Sequence, residues 1–308
     1  MTAERASLAP LAYGLMLLMN AIWGISYPAV KSGLDHHSPL GLVALRFGIA
    51  SLTIMPLLVA PWPRLRAHLG ATAVRGCLTG LALLSGFVLQ AFGMTETSAS
   101  VGGFLSGLIV LVVGLGAWLV FREPMRTATA IGLVAGLAGV VLLCTNSSEP
   151  TASAPQDSTW GILLQTGAAA SFATHILLMS RLSPGRAEGE LAGRDLAFSF
   201  WQLSIVAVGA TAALVVSGSD FTLPDSHHFD AWIEMLYLGV LATGIAIAIQ
   251  SRYQPLVRPD HLALLFATQP LFAALGGWVL LGDSMTGQQF AGCGAILVGV
   301  LIAARGRP

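Results

Sequence analysis

Met16, Asn20, Trp23, Tyr27 and Lys31 follow one another at intervals of three or four residues in the first long apolar segment. That spacing places them along one face of a 3.6-residue helix. An indole and a phenol can stack on rings or methyl groups, while the amide hydrogen-bonds a carboxylate. Such a stripe suits a zwitterion with an apolar or polar side chain, and its aromatic faces would also accept a flat organic cation. The same residues would serve as interhelical glue and as an interfacial aromatic belt, so both readings stand. Pro28 has no N–H, which deprives the Gly24 carbonyl of its helical donor and predicts a bend. Pro56 does the same for Leu52, and Pro270 for Phe266. Gly24, Pro28, Pro56 and Pro270 are therefore candidates for gating kinks whose carbonyls could receive an ammonium group, or for ordinary helix curvature.

Further polar groups lie deep in apolar runs. Gln90 ends a face with Thr79, Leu83 and Gly86, and Gln250 ends one with Gly239 and Thr243. They read as a pair of polar gates or as interhelical hydrogen bonds. Gln165, Phe172 and His175 lean to one side of a later segment, and Gln269 stands beside Pro270. Burial and neighbours can tune a histidine such as His175 across neutrality, although a core histidine is more often simply hydrogen-bonded. The candidate substrate contacts are thus Asn20, Trp23, Tyr27, Gln90, Gln165, Phe172, His175, Gln250 and Gln269.

The fifteen acidic residues fall in loops or near the ends of apolar runs, so no carboxylate is expected as a midplane relay. A cavity of this make-up, uncharged, aromatic and rich in amides, argues against phosphate esters and nucleotide sugars, which would call for arginine or lysine in the spans. Ser106 and His175 lack the motif context of a hydrolase, and an enzyme is not expected. Cys77, Cys144 and Cys293 read as small packing residues; no metal and no cofactor is implied.

These groups must be held by elements that a bilayer tolerates. The 308 residues are 55% hydrophobic and 10% charged, well under the roughly 25% charge of a soluble domain. Net charge is zero and basic runs are absent, so no nucleic-acid partner is expected. A spanning helix needs about 20 apolar residues. Ten candidates result: 11–31, 40–60, 71–92, 97–120, 127–144, 158–181, 196–217, 231–252, 261–281 and 287–304. With a cytoplasmic N-terminus, all fifteen basic residues except Lys31 and Arg46 lie inside, which predicts that both termini are cytoplasmic. Glu123 and Asp283 are expected to cap the helices that follow them.

Sliding the chain by about 160 residues aligns 71–142 with 231–302 without a gap, the weak internal symmetry expected of a transporter. Gln90 meets Gln250, Trp118 meets Trp278, Gly132 meets Gly292 and Gly139 meets Gly299. The expected fold is all-α and membrane-integral, with ten helices in two inverted five-helix repeats. The first repeat is 1–146, the linker 147–157, and the second repeat 158–308.

The stretches "WGISYP", "ALRFGIA", "FREPMRTATAIGLVAGLAGVVLL" and "LLGDSMTGQQFAGCGAILVGVLI" resemble the drug/metabolite transporter superfamily, in particular its EamA-type ten-helix exporters. Among these the chain looks most like the YddG-like group of bacterial aromatic and general amino-acid exporters, some of which also pass drugs. The sixth helix departs from the pattern, because "AAASFATH" has Phe172 and His175 where a tryptophan often recurs. The resemblance implies a multi-pass protein of the bacterial inner membrane that exports amino-acid zwitterions by uniport-like alternating access, with the lipid bilayer as its surroundings and no oligomer required. Efflux of drugs, lipophilic cations or other small metabolites, with or without proton coupling, is the alternative.

Overall fold

The structure, a computed structural model, describes residues 3–59, 62–122, 127–144, 157–183, 191–221, 223, 229–257, 265–266, 268–282 and 286–305. These residues are almost wholly helical. In chain order the helices are α1 Ala3–Gly33, α2 Pro39–Val59, α3 Trp62–Thr95, α4 Ala99–Leu105, α5 Leu108–Phe121 and α6 Thr127–Cys144. Then follow α7 Thr159–Leu182, α8 Leu191–Ser217, α9 Phe229–Leu236, a π-helical segment Tyr237–Ile245, and α10 Ala246–Tyr253. The chain closes with α11 Gln269–Gly276, a second π segment Gly277–Leu281, and α12 Gly287–Arg305.

Among the described residues, six helices are long and apolar enough to cross a membrane: Pro10–Gly33, His68–Thr95, Ala99–Gly116, Thr159–Leu182, Arg194–Ser217 and Asp230–Tyr253. Four other apolar helices, Pro39–Met55, Ala130–Gly139, Gln269–Leu281 and Phe290–Ile302, are shorter. The linker expected at 147–157 lies outside the described residues apart from Asp157, as do Glu123 and Asp283 with their expected capping.

Local chemistry fixes several ends. The Ser98 side chain caps α4 by accepting from Val101 N–H, and the Ser158 side chain caps α7 by accepting from Gly161 N–H. Asp157 Oδ1 accepts from Ser98 N–H at 2.6 Å, tying the two caps together. The described turn after α8 and that after Leu281 each contain a left-handed glycine, Gly218 (φ 63°) and Gly282 (φ 67°). Arg122, the repeat counterpart of Gly282, adopts the same conformation at φ 55° although it carries a Cβ.

The chain divides into two compact units. The first comprises Met1–Met19, Ser32–Val88 and Leu178–Val257; the second comprises Asn20–Lys31, Leu89–Leu177 and Arg258–Pro308. Each draws on both sequence halves. In the first unit α2 packs against α8 and the first π segment, with Phe47 and Phe198 fully buried. Gly239 admits Ile49 against its backbone, and Gly80 admits Ile205. Trp201 anchors α8 by donating its indole N–H to Leu69 O at 2.9 Å.

In the second unit α6 packs along α12. A Cβ on Gly139 would lie 2.5 Å from Gly292 O, and one on Gly299 would lie 2.5 Å from Gly132 O. The repeat exchanges these two contacts: Gly139 corresponds to Gly299, and Gly292 to Gly132. The pair therefore runs antiparallel around a local pseudo-two-fold, with small residues letting the backbones meet.

Candidate functional site

The second unit holds all the candidate substrate contacts except Gln250. The elements that position them are two interrupted helices. Between α4 and α5, Ser106 and Gly107 form a turn in which Gly107 N–H bonds Phe104 O at 3.0 Å and Ile109 N–H bonds Ser106 O at 3.0 Å. These i→i−3 bonds replace the α-helical pattern. The repeat places Leu265–Thr268 opposite Leu105–Leu108, and there the chain turns again. Thr268 N–H bonds Leu265 O at 3.1 Å, and α11 restarts at Gln269.

Pro270 thus occupies the first turn of α11, where a missing N–H costs no intrahelical bond. This corrects its expected place in mid-helix: the element expected as 261–281 is interrupted, and its first four residues lie outside the described set. The two breaks adjoin. A Cβ on Gly107 would lie 3.2 Å from the Pro270 ring.

The stripe of α1 packs onto this pair of breaks. Trp23 stacks on Phe266 with ring centroids 6.1 Å apart and planes at 24°. A Cβ on Gly24 would collide with Phe272 and lie 2.7 Å from Gln269 O, so α1 approaches α11 at backbone distance. One turn on, a Cβ on Gly276 would lie 3.0 Å from the Pro28 ring. Helix α1 continues as α-helix through Pro28 to Gly33. A Cβ on Gly103 would collide with Ala273 and reach Tyr27 at 3.7 Å, bringing α1, α4 and α11 to one place. Asn20 and Tyr27 are buried, and Trp23 is partly exposed. Lys31 donates to Met94 O at 2.8 Å, closing the C-terminal turn of α3 with a cation.

On the other flank, Gln165 Nε2 donates to Gln90 O at 3.2 Å, joining α7 to α3. A Cβ on Gly93 would lie 3.0 Å from Gln165 Cγ, and one on Gly102 would lie 3.3 Å from Gln165 Nε2. Gln165 therefore touches α3 and α4 at once. His175 is buried and Phe172 partly exposed further along α7. Gln269 is buried at the first position of α11. Pro56 lies in α2, but its side chain is outside the described ones. Gln250 belongs to the first unit, where its amide donates to Gln254 Oε1 at 2.9 Å.

The spacing of sequence candidates pointed to none of Phe266, the Ser106–Gly107 turn or Arg46. Phe266 is visible only as the residue four before Pro270. Arg46 lies in the body of α2, only 3% exposed. Its Nε donates to Thr243 Oγ1 and its guanidinium to Ala242 O at 3.3 Å, while the Phe87 ring lies 4.6 Å from its Cζ. A cation is therefore buried inside an apolar helix, so the argument against anionic substrates from an uncharged interior does not hold.

Comparison with known proteins shows how this architecture is shared. The family model described as "EamA-like transporter family" matches twice, over residues 10–145 and 159–305. A "Probable amino-acid metabolite efflux pump" of Salmonella typhimurium is 27% identical over 303 residues, covering 94% of this chain and 93% of that protein. An "Uncharacterized transporter" of Archaeoglobus fulgidus is 24% identical over 287 residues, covering 93% of this chain and 83% of that protein. A crystal structure at 19% identity superposes with a TM-score of 0.61 over 96% of both chains, a likeness of fold. The doubled helical pattern and the doubled match agree: this chain is a multi-pass membrane protein belonging to the EamA-like transporter family.

Proposed function

We propose that the chain exports amino acids, aromatic and other neutral ones, across the bacterial inner membrane by uniport-like alternating access. Its ten apolar segments are read as spans in two inverted five-helix repeats, 1–146 and 158–308, with both termini cytoplasmic. The lipid bilayer is its setting, and the reading calls for neither a nucleic acid nor an oligomer.

The observation that carries this reading is the adjoining pair of helix breaks at Ser106–Gly107 and Leu265–Thr268, with Trp23 stacked beside the second. Interrupted helices at corresponding places in two repeats mark substrate sites in transporters. The side-chain amides of Asn20 on α1 and Gln269 at the start of α11 bond the carboxylate. Backbone carbonyls at the breaks receive the ammonium group. Trp23, Tyr27 and Phe172 take an aromatic or aliphatic side chain, and Gln90, Gln165 and His175 complete the polar lining. Relatives named amino-acid metabolite efflux pumps support the substrate class.

Efflux of a flat lipophilic cation is the second reading, favoured by the stacked Trp23–Phe266 pair. Liposomes carrying the purified protein distinguish the two. Labelled phenylalanine and leucine should run down their gradients at rates unaffected by an imposed pH gradient. Movement of methyl viologen without any amino acid would establish the second reading, and dependence on the pH gradient would replace uniport with proton coupling.

A further inference from the structure

The first unit contains a cavity of about 310 Å³ that the proposed transport site does not use. Its walls are largely aliphatic, built from Ile54 of α2, Leu196 of α8 and Ile249 of α10. At one end stand Asp195, Arg252 and Tyr253. Asp195 is 6% exposed, whereas Arg252 is exposed and lies over the Tyr253 ring at 5.7 Å. Burial weighs against charge on the Asp195 carboxylate, and Arg252 and Arg194 weigh for it. A buried hydrogen bond at 2.8 Å between Ser199 and Ser251 joins α8 to α10, one turn on from Asp195 and beside Arg252 in sequence.

Both charges stand where helices begin and end: Asp195 in the first turns of α8, and Arg252 in the last turn of α10. Beyond them the outward surface is hydrocarbon, with Leu52, Met55 and Ile245 exposed. In a multi-pass membrane protein, that combination faces lipid.

We infer that this cavity is a binding site for a phospholipid with a primary-ammonium headgroup, phosphatidylethanolamine. The ammonium group donates to Asp195, the phosphodiester accepts from Arg252, and the acyl chains lie along Leu52, Met55 and Ile245. The cavity has room for roughly ten waters' volume, enough for a headgroup and the first carbons of a chain. Charge complementarity selects among lipids. A trimethylammonium head has no N–H to give a buried carboxylate, and a glycerol head has no cation to set against it. In the orientation proposed above, the headgroup belongs to the cytoplasmic leaflet.

Native mass spectrometry of the full-length chain, exchanged with equimolar dioleoyl phosphatidylethanolamine, phosphatidylcholine and phosphatidylglycerol, tests the assignment. The wild-type chain should retain the ethanolamine lipid about tenfold over the choline lipid, the ratio expected from one charge-assisted hydrogen bond. Asp195→Asn should reduce that preference to under about twofold, and Arg252→Gln should weaken retention of the ethanolamine and glycerol lipids together. Ile249→Trp, which fills the cavity without altering charge, should expel the ethanolamine lipid while thermal unfolding shows a folded protein. Equal retention of ethanolamine and choline lipids, an unchanged preference in Asp195→Asn, or undiminished binding in Ile249→Trp would each overturn the assignment. So would displacement of the lipid by millimolar leucine, which would make the ligand a free zwitterion.

Discussion

Two pairs of helices that the repeat makes equivalent have fared differently. The fourth helix of each half breaks in the same region, once at Ser106–Gly107 and once where Thr268 N–H bonds Leu265 O. The third helix does not behave alike in the two copies. In the first copy α3 is α-helical from Trp62 to Thr95, whereas its counterpart opens into the π segment Tyr237–Ile245. The two copies differ in chemistry at one position of this segment. Thr243 donates to Leu238 O, five residues back, at 2.7 Å, and accepts from Arg46 Nε. Its repeat counterpart is Leu83, which can do neither. In the proposed function the shared interruptions serve the substrate, whereas the π segment Tyr237–Ile245, found in one copy, carries the added pair of Arg46 and Thr243.

The largest test of this contrast is Arg46→Leu. It leaves Ala242 O and Thr243 without a buried charged donor, and hydrogen bonds to charged groups are worth about 1.5–3 kcal/mol. A loss of about 3 kcal/mol is expected in thermal unfolding in detergent, with Thr243→Val losing about half as much. A neutral Arg46→Leu would show that the π segment stands without its cation.

Next in size is Trp23→Ala, expected to lower amino-acid flux at least tenfold while the protein stays folded, with Trp23→Phe retaining most of it. Wild-type flux in the alanine variant would return Trp23 to a packing role. Gly139→Ala and Gly299→Ala follow, each costing about 1–3 kcal/mol by overpacking. Because their contacts exchange under the repeat, the two losses should agree within about 0.5 kcal/mol. A larger gap in their unfolding temperatures would break the pseudo-two-fold. The smallest effect belongs to Gly107→Ala, whose methyl would press on Pro270 at 3.2 Å. A change in KM of about threefold with little change in kcat is expected, since the break is crowded but not removed.

Much of this was legible beforehand. Apolar runs separated by charged turns specify helices, and the stripe from Asn20 to Lys31 has its helical period written into the residue types. The Gly132/Gly292 and Gly139/Gly299 pairings could be read as a repeat, though not as a contact, because spacing says nothing about which helices meet. The break before Gln269 was hidden because Pro270 looks the same in mid-helix and in a first turn. Only the bond from Thr268 N–H to Leu265 O separates the two cases. The burial of Arg46 is hidden for a related reason. Its burial depends on Thr243 and Phe87, nearly two hundred and some forty residues away respectively, and no local pattern announces such partners. Asp195 was likewise legible as a helix-end carboxylate, but not as the wall of a cavity.

The reciprocal glycine contact between α6 and α12 has a consequence for assembly. A seam that maps onto itself when its two sides are exchanged is the kind of surface a symmetric dimer uses. Physically, it is indifferent to whether its two sides share one polypeptide. The covalent connection then acts as a tether that raises the local concentration of one half around the other. Residues 1–146 and 158–308 expressed as separate chains should therefore find each other in the membrane through this seam, at a cost that falls on association and not on the contact itself.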